Sequence, residues 1–412
     1  MPHRPRTGLW AGYAVLTACF LTGFFYRFSP ATFAEELGRD LGTSATALGA
    51  LASWHFWVYT AAQIPAGTAV DRWGARRSAA AGSAIAAAGA LSLATADGFL
   101  QASLGPILTG LGMSAVFVAA MKYNAARFEP RHYGLVTGLT MLLANIGSVA
   151  AGSPSAILLE HFSWRAVFLG AAALSTALAL ASVAAVRDQT PDTAARPPRE
   201  GLSALAGRKG LWPVFWCTIG TNATFYSFSG LWGTPLLGDG FGLATSTAAV
   251  YSTVALTLYG LGSLLIGIAS DKAGRRKPFL VGTSAAAVAG WAALAAAPWS
   301  PGPSGLLLYG LVGLAASQVT VSFAAVKELA PGTAAGKALA LVNAGVFGAT
   351  AVLQPLFGRV LDAAGGDSPD LADYRTALAL PLALSAIGLA TSLRTTETHC
   401  RDLHPRPEPA RS

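Results

Sequence analysis

Residues 67–77 read Gly-Thr-Ala-Val-Asp-Arg-Trp-Gly-Ala-Arg-Arg, and 200 residues later 267–277 read Gly-Ile-Ala-Ser-Asp-Lys-Ala-Gly-Arg-Arg-Lys. Gly67 and Gly267, Asp71 and Asp271, Arg72 and Lys272, Gly74 and Gly274, and Arg76 and Arg276 thus hold matching places. Each copy lies between two apolar stretches of bilayer-crossing length. A short charged hinge that recurs once per half marks a duplicated chain whose repeats each carry several membrane helices. Segments of this kind fold as helices, because every backbone polar group in lipid needs an internal partner.

Charged residues make up only 12% of the 412 residues and hydrophobic residues 53%, with a mean hydropathy of +0.49. That balance lies far from the charge content of a soluble domain. Runs of about 20 apolar residues, enough to cross a bilayer, recur at approximately 10–36, 44–70, 78–97, 102–125, 132–159 and 164–186. A second set follows at 211–236, 246–269, 278–298, 304–326, 335–361 and 374–393. The expected fold class is an all-α integral membrane protein with twelve transmembrane helices in two pseudo-symmetric six-helix halves, 1–186 and 211–393. Residues 187–210 are polar, basic and Pro-containing, and read as the cytoplasmic linker between the halves. The polar, Pro-rich tail 394–412 is expected to be disordered.

The basic residues orient the chain. With the N-terminus in the cytoplasm, 22 of the 28 Lys and Arg fall on the cytoplasmic side. Only Arg39, Arg165, Arg359 and Arg375 fall opposite, while Arg27 and Lys122 lie within spans. The positive-inside rule therefore puts both termini in the cytoplasm. The formal net charge of +8 reads as a lipid-orientation signal. It does not point to nucleic acid, because the charges sit in separate loops. Cys19, Cys217 and Cys400 form no disulfide framework or metal spacing. The first apolar run is too long for a cleavable signal.

The doubled Gly-x-x-x-Asp-[Arg/Lys]-x-Gly-x-Arg loop, the two sets of six spans and the central linker resemble the major facilitator superfamily. Tyr26-Arg27-Phe28-Ser29-Pro30, Leu139-Thr140-Met141 with Ser163-Trp164-Arg165, and Leu353-Gln354-Pro355-Leu356-Phe357-Gly358 are similar to a bacterial subgroup. That subgroup stands near phagosomal amino-acid, lysosomal dipeptide and nitrate- or organic-anion-type carriers. The resemblance implies alternating access, in which two halves rock about a central site that opens to one side at a time. The repeated loop then acts as a latch on the cytoplasmic side. Gly67 and Gly267 would permit close helix approach. Asp71 and Asp271 would accept hydrogen bonds from a helix N-terminus and the loop arginines. The simpler alternative is that the loops only orient the chain.

Within the spans, Arg27 stands out. No Asp or Glu lies near the middle of any expected span, so its natural counter-ion is an anionic substrate, which a guanidinium grips with two parallel hydrogen bonds. The alternative is an arginine snorkelling to the interface. Lys122, late in the fourth span, reads as a substrate or gate residue or as an interfacial anchor. His55 and Tyr59 share a helical face; His55 either carries a coupling proton or is a neutral, bonded histidine. Tyr26, Asn145, Asn222, Tyr226, Gln318 and Asn343 complete a polar, aromatic set of candidate substrate-binding residues, each of which can equally be helix-to-helix glue.

Pro106 stands where drug/proton antiporters of this superfamily carry an arginine, and their helix-five glycine pattern is incomplete after Pro154. Both departures weigh against efflux. No catalytic constellation, metal site or cofactor motif appears among the six histidines or elsewhere. The reading is a non-enzymatic secondary transporter, expected to be monomeric in the lipid bilayer. Its solute is small and anionic or carboxylate-bearing: an amino acid, dipeptide, organic acid or oxyanion. Uptake, with a coupling proton or as uniport, is the expected direction; the alternative is a drug or secondary-metabolite exporter on the same fold.

Overall fold

The computed structural model of the chain describes residues 6–128, 130–188, 207–330, 335–366 and 368–401, and no strand occurs among them. In the first half, helices run over α1 (Arg6–Leu41), α2 (Ala45–Ala94), α3 (Phe99–Arg127), α4 (Pro130–Ala151), α5 (Ser153–Leu159) and α6 (Trp164–Ala185). The second half opens with a helical stretch, 211–241, built from α7 (Leu211–Thr218), α8 (Thr224–Ser227) and α9 (Gly233–Phe241) joined by π-turns at Ile219–Ala223 and Phe228–Trp232. It continues with α10 (Thr245–Ala273), α11 (Lys277–Ala296), α12 (Pro303–Ala316), α13 (Val319–Leu329), α14 (Ala335–Gly365), α15 (Leu371–Ala377) and α16 (Ala379–Ser392).

The all-α class and the two-half architecture agree with the sequence. Among the described residues, nine helical stretches are long and apolar enough to cross a membrane. The other three expected spans are the two Ala- and Gly-rich halves of α2 and the π-interrupted stretch 211–241. The twelve crossings therefore stay a sequence expectation. α2 is 50 residues long but turns at Gly74, whose φ of 82° is a left-handed value that glycine adopts without steric cost. Gly274, the matching motif glycine, has a φ of 62° between α10 and α11. Of the expected linker, 189–206 lies outside the described residues, as does 402–412 of the tail. Residues 394–401 do not behave as the disordered tail expected of them: Glu397 folds back onto the start of α11.

The helix ends define two sides. One carries Leu9, Arg127, Asp188, Arg208 and Glu397 and is called here the terminus side; the loops near Thr43, Gly242 and Gly302 form the far side. At the terminus side each half has its own apolar cluster. Tyr13, Leu16, Val70 and Tyr123 pack in the first half, and Val214, Leu280, Val321 and Val326 in the second. Elsewhere a single cluster runs through both halves. Its tightest seam is α2 against α14. A Cβ on Gly49 would come within 2.6 Å of the Gln354 carbonyl, and one on Gly358 would strike the Ala45 carbonyl. Small residues permit such backbone approach, and packing of this kind, together with interhelical hydrogen bonds, holds membrane helices together.

Candidate functional site

Arg27 is the residue around which the middle of the molecule is arranged. It sits midway along α1, and Pro30, three residues on, withholds the backbone N–H that would reach the Tyr26 carbonyl, loosening that turn. The side chain is buried, at 4% exposure, and no ion pair among the described residues involves it. Its guanidinium lies instead 5.0 Å from the ring centre of Phe24, 5.2 Å from Tyr59 and 4.6 Å from Phe347. The first two rings belong to the first half and the third to the second. Each such contact stabilises by about 0.5–2 kcal/mol, and a cation at mid-bilayer costs about 2.5–3.5 kcal/mol or more. Three rings thus roughly offset the charge, and of them only Tyr59, through its hydroxyl, offers the guanidinium a hydrogen-bond acceptor. The Arg27 Nε has no partner.

Phe347 is the hub of this aromatic box. It stacks on Phe56 at 5.9 Å and on Tyr226 at 5.7 Å, and meets Tyr59 edge-on at 5.1 Å. Tyr226 shares a 2.7 Å hydrogen bond with the Tyr259 hydroxyl and touches Phe28 across the halves. The His55 ring lies parallel to Tyr59 at 6.1 Å. Its Nδ1 bonds Thr109 Oγ1 at 3.1 Å, while Nε2 has no partner. A small cavity of about 30 Å³ between α1, α2 and α3 is lined by His55, Ser29 and Thr109. Ser29 Oγ is also unpartnered.

The structure brings Arg27, His55, Tyr59 and Tyr226 together. It does not bring all the other expected residues to them. Tyr26 turns to α6, bonding Ser175 Oγ at 2.8 Å and the Ala171 carbonyl at 3.1 Å. Asn145 donates across the halves to the Leu256 carbonyl at 3.2 Å. Gln318 is consumed inside the second half, accepting from Thr283 and Ser284 and donating to Cys217. Asn222, fully buried, donates to Thr221 and keeps an unpartnered Oδ1. Asn343 is half-buried one turn before Phe347. Sequence reasoning missed Phe24, Phe347 and Tyr259; the only local signal was that Phe347 and Tyr259 share helical faces with polar neighbours.

Lys122 lies at the latch. Its Nζ donates to Asp71 Oδ1 at 2.7 Å and to the Val70 carbonyl at 3.0 Å. In the second half Arg276, buried, bonds Asp271 at 2.6 Å and Glu328 at 2.8 Å. Burial opposes the Arg276 charge, but Glu328 and Asp271 more than offset it and hold the guanidinium above its ordinary range. Arg72, Arg76 and Lys272 are exposed. Gly267 packs on Thr320, whereas Gly67 faces open space, so close helix approach is realised in one copy only.

Each half also returns a carboxylate to its own latch. Asp188 accepts from the Arg76 backbone at 3.0 Å and abuts Gly74. Glu397 accepts from the backbones of Arg276 at 2.8 Å and Lys277 at 3.1 Å. Partial burial works against the Glu397 carboxylate, yet these donors and His399 N–H hold it below the usual range.

Hydrogen bonds tie the halves together from the middle to the far side. Besides Asn145, Ser153 bonds Thr253 at 2.9 and 3.0 Å. Asp362 on α14 receives the Ala45 and Thr46 N–H groups of α2, both at 2.9 Å. That last contact is a carboxylate capping a helix N-terminus across the seam.

Two helical halves, sealed along one edge and meeting at a buried charge, define a multi-helix membrane carrier. The sequence profile described as the Major Facilitator Superfamily matches residues 15–256 and again 223–411. The chain belongs to that superfamily and is a membrane transporter rather than an enzyme. It is similar to a Bacillus subtilis transporter, YybO, with 30% identity over 166 residues, 40% of this chain and 38% of that protein. It is also similar to human monocarboxylate transporter 11, with 28% identity over 320 residues, 76% of this chain and 62% of that one. The chain thus spans less than two thirds of either relative. Among solved structures, a D-xylose–proton symporter shares the fold at a TM-score of 0.76 and 15% identity, covering 96% of this chain and 99% of that one.

Proposed function

We propose that the chain is a secondary carrier taking up a small solute with an anionic group by alternating access, with Arg27 as the anion's anchor. The observation that supports this best is a buried guanidinium with no carboxylate partner, held on rings from both halves where they meet. An anion arriving there gains the two-pronged hydrogen bonding that the rings cannot supply. It also engages a residue whose cage reports the relative position of the halves. Human monocarboxylate transporter 11, by its name a carrier of carboxylates, agrees with this class of solute.

The seam on the far side and the separate apolar clusters on the terminus side support an inward-open arrangement, if the positive-inside orientation holds and both termini are cytoplasmic. The carrier would sit as a monomer in a bacterial inner membrane. We assign the coupling proton to His55, whose buried Nε2 is unpartnered and whose ring lies against Tyr59, itself in contact with Arg27.

The test is ligand-dependent thermal stabilisation of the detergent-purified protein against carboxylates, amino acids, dipeptides and oxyanions. A ligand at 100 times its Kd stabilises by about 2.7 kcal/mol. A shift with one anion that disappears in Arg27→Ala supports the reading. An equal shift in the mutant, or none with any anion, sinks it. For the proton, uptake into proteoliposomes driven by an inward proton gradient should lose its pH dependence in His55→Gln; an unchanged pH profile would remove His55 from that role.

A further inference from the structure

The charge inventory of the central site is narrower than an anion site requires. We propose that it acts as a one-charge filter: it admits monoanions that carry no ammonium group, and turns away amino acids, dipeptides and dianions. This rests on the reading of Arg27 as the anion's anchor.

Among the described residues, the Lys, Arg, Asp and Glu that are buried are Arg27 and Arg276. Arg276 is spent on Asp271 and Glu328, so one cation faces the centre. A monoanion cancels it. While His55 is unprotonated, a dianion would leave its second charge uncompensated at bilayer depth, where an unpaired charge is costly.

The acids decide the other half of the rule. On α1, the nearest to Arg27 are Glu35 and Glu36, eight and nine residues on. On α2, Asp71 is twelve residues past Tyr59. In the stretch 211–241, Asp239 is thirteen past Tyr226, and on α14 Asp362 is fifteen past Phe347. At 1.5 Å per residue the closest of these stands about 12 Å along the helix from the box. A zwitterion's ammonium is tied to its own carboxylate, and even a dipeptide separates the two by no more than about 7 Å. With the carboxylate on Arg27, the ammonium falls short of the helix position of the nearest of these acids. The rings would ordinarily attract a cation, but the guanidinium already occupies their faces and repels a second one. His55 is neutral unless it takes a proton, so it cancels no positive charge.

The experiment uses matched pairs on the intact purified protein, following melting temperature against ligand concentration. Propionate is compared with alanine, which adds only an ammonium, with succinate, which adds only a second carboxylate, and with glycylglycine. Propionate is expected to stabilise the protein. The other three should do so at least about 100-fold less avidly, the penalty for one unpaired charge in the bilayer core. Alanine or succinate matching propionate would overturn the filter while leaving Arg27 as an anion site. No shift from any of the four, or from benzoate as a bulkier monoanion, would instead remove the anion site itself, and the filter with it. A converse variant guards against a size effect. Asn222→Asp places a carboxylate on the face of Tyr226, four residues before it, with nearly unchanged volume. It should bring alanine within about tenfold of propionate. If Asn222→Asp is folded and discriminates as the wild type does, charge is not what the site reads.

Discussion

Arg27 is held by three ring faces, so its energetics differ from those of a buried ion pair. Phe347→Leu keeps most of the volume and removes one face. It should weaken the site's hold on the guanidinium by about 0.5–2 kcal/mol, seen as a lower melting temperature of the ligand-free protein. Because that face comes from the second half, Phe24→Leu should lower stability similarly while leaving the relative position of the halves alone. Arg27→Lys keeps the charge but loses the planar fork; at least a tenfold weaker anion affinity is expected by titration. Equal affinities would show that charge alone suffices. Arg27 was legible in the sequence because one cation in an apolar run is conspicuous. Of its cage only Tyr59 was. Phe24 and Phe347 look like the other aromatic residues that membrane helices carry, and nothing local says which rings from different halves will share a space. The role of Lys122 was left open for the same reason: its partner Asp71 lies 51 residues away, and its span-end position fits an anchor, a gate and a ligand equally well.

Among the elements, the start of α2 and the end of α14 carry the most testable contact. Asp362 holds two N–H groups of α2 across the seam, and loss of a helix cap costs about 0.5–2 kcal/mol. Asp362→Ala should therefore shift the carrier towards opening on the far side. With Leu48→Cys as reporter, a buried position in the second turn of α2, labelling by a membrane-impermeant thiol reagent should speed up. Unchanged labelling would mean that the glycine seam alone keeps that side shut. Glu397 gives a pH test at the start of α11. Its folded carboxyl titrates below the ordinary range, so its contribution is complete above the unfolded value of about 4.3 and fades as pH falls further. The stability gap between wild type and Glu397→Gln should be constant near neutrality and shrink below that point. The helices themselves were legible from apolar runs and the glycine-marked hinges. The π-turns of 211–241 were not, because nothing in their sequence departs from ordinary helical composition.

Across the whole molecule, the carboxylate that caps α2 from the other half and the carboxylates that return to each half's own latch lie on opposite sides. Breaking the second half's latch with Glu328→Ala leaves the buried Arg276 short of a partner and should cost roughly 3–5 kcal/mol. It should not change labelling at Leu48→Cys, whereas Asp362→Ala should. If both variants alter labelling equally, the two sides are not separable. Duplication was readable from the repeated loop. The state of the seam was not, since one sequence must serve every position of the transport cycle and favours none by composition.

The placement of Asp188 adds a mechanical consequence. The polypeptide leaves the first half just after a carboxylate that grips Arg76 and rests on Gly74. Any tug passed along the chain when the second half swings is thus delivered to the bend in α2, like a cord tied to a door's hinge pin rather than to its panel.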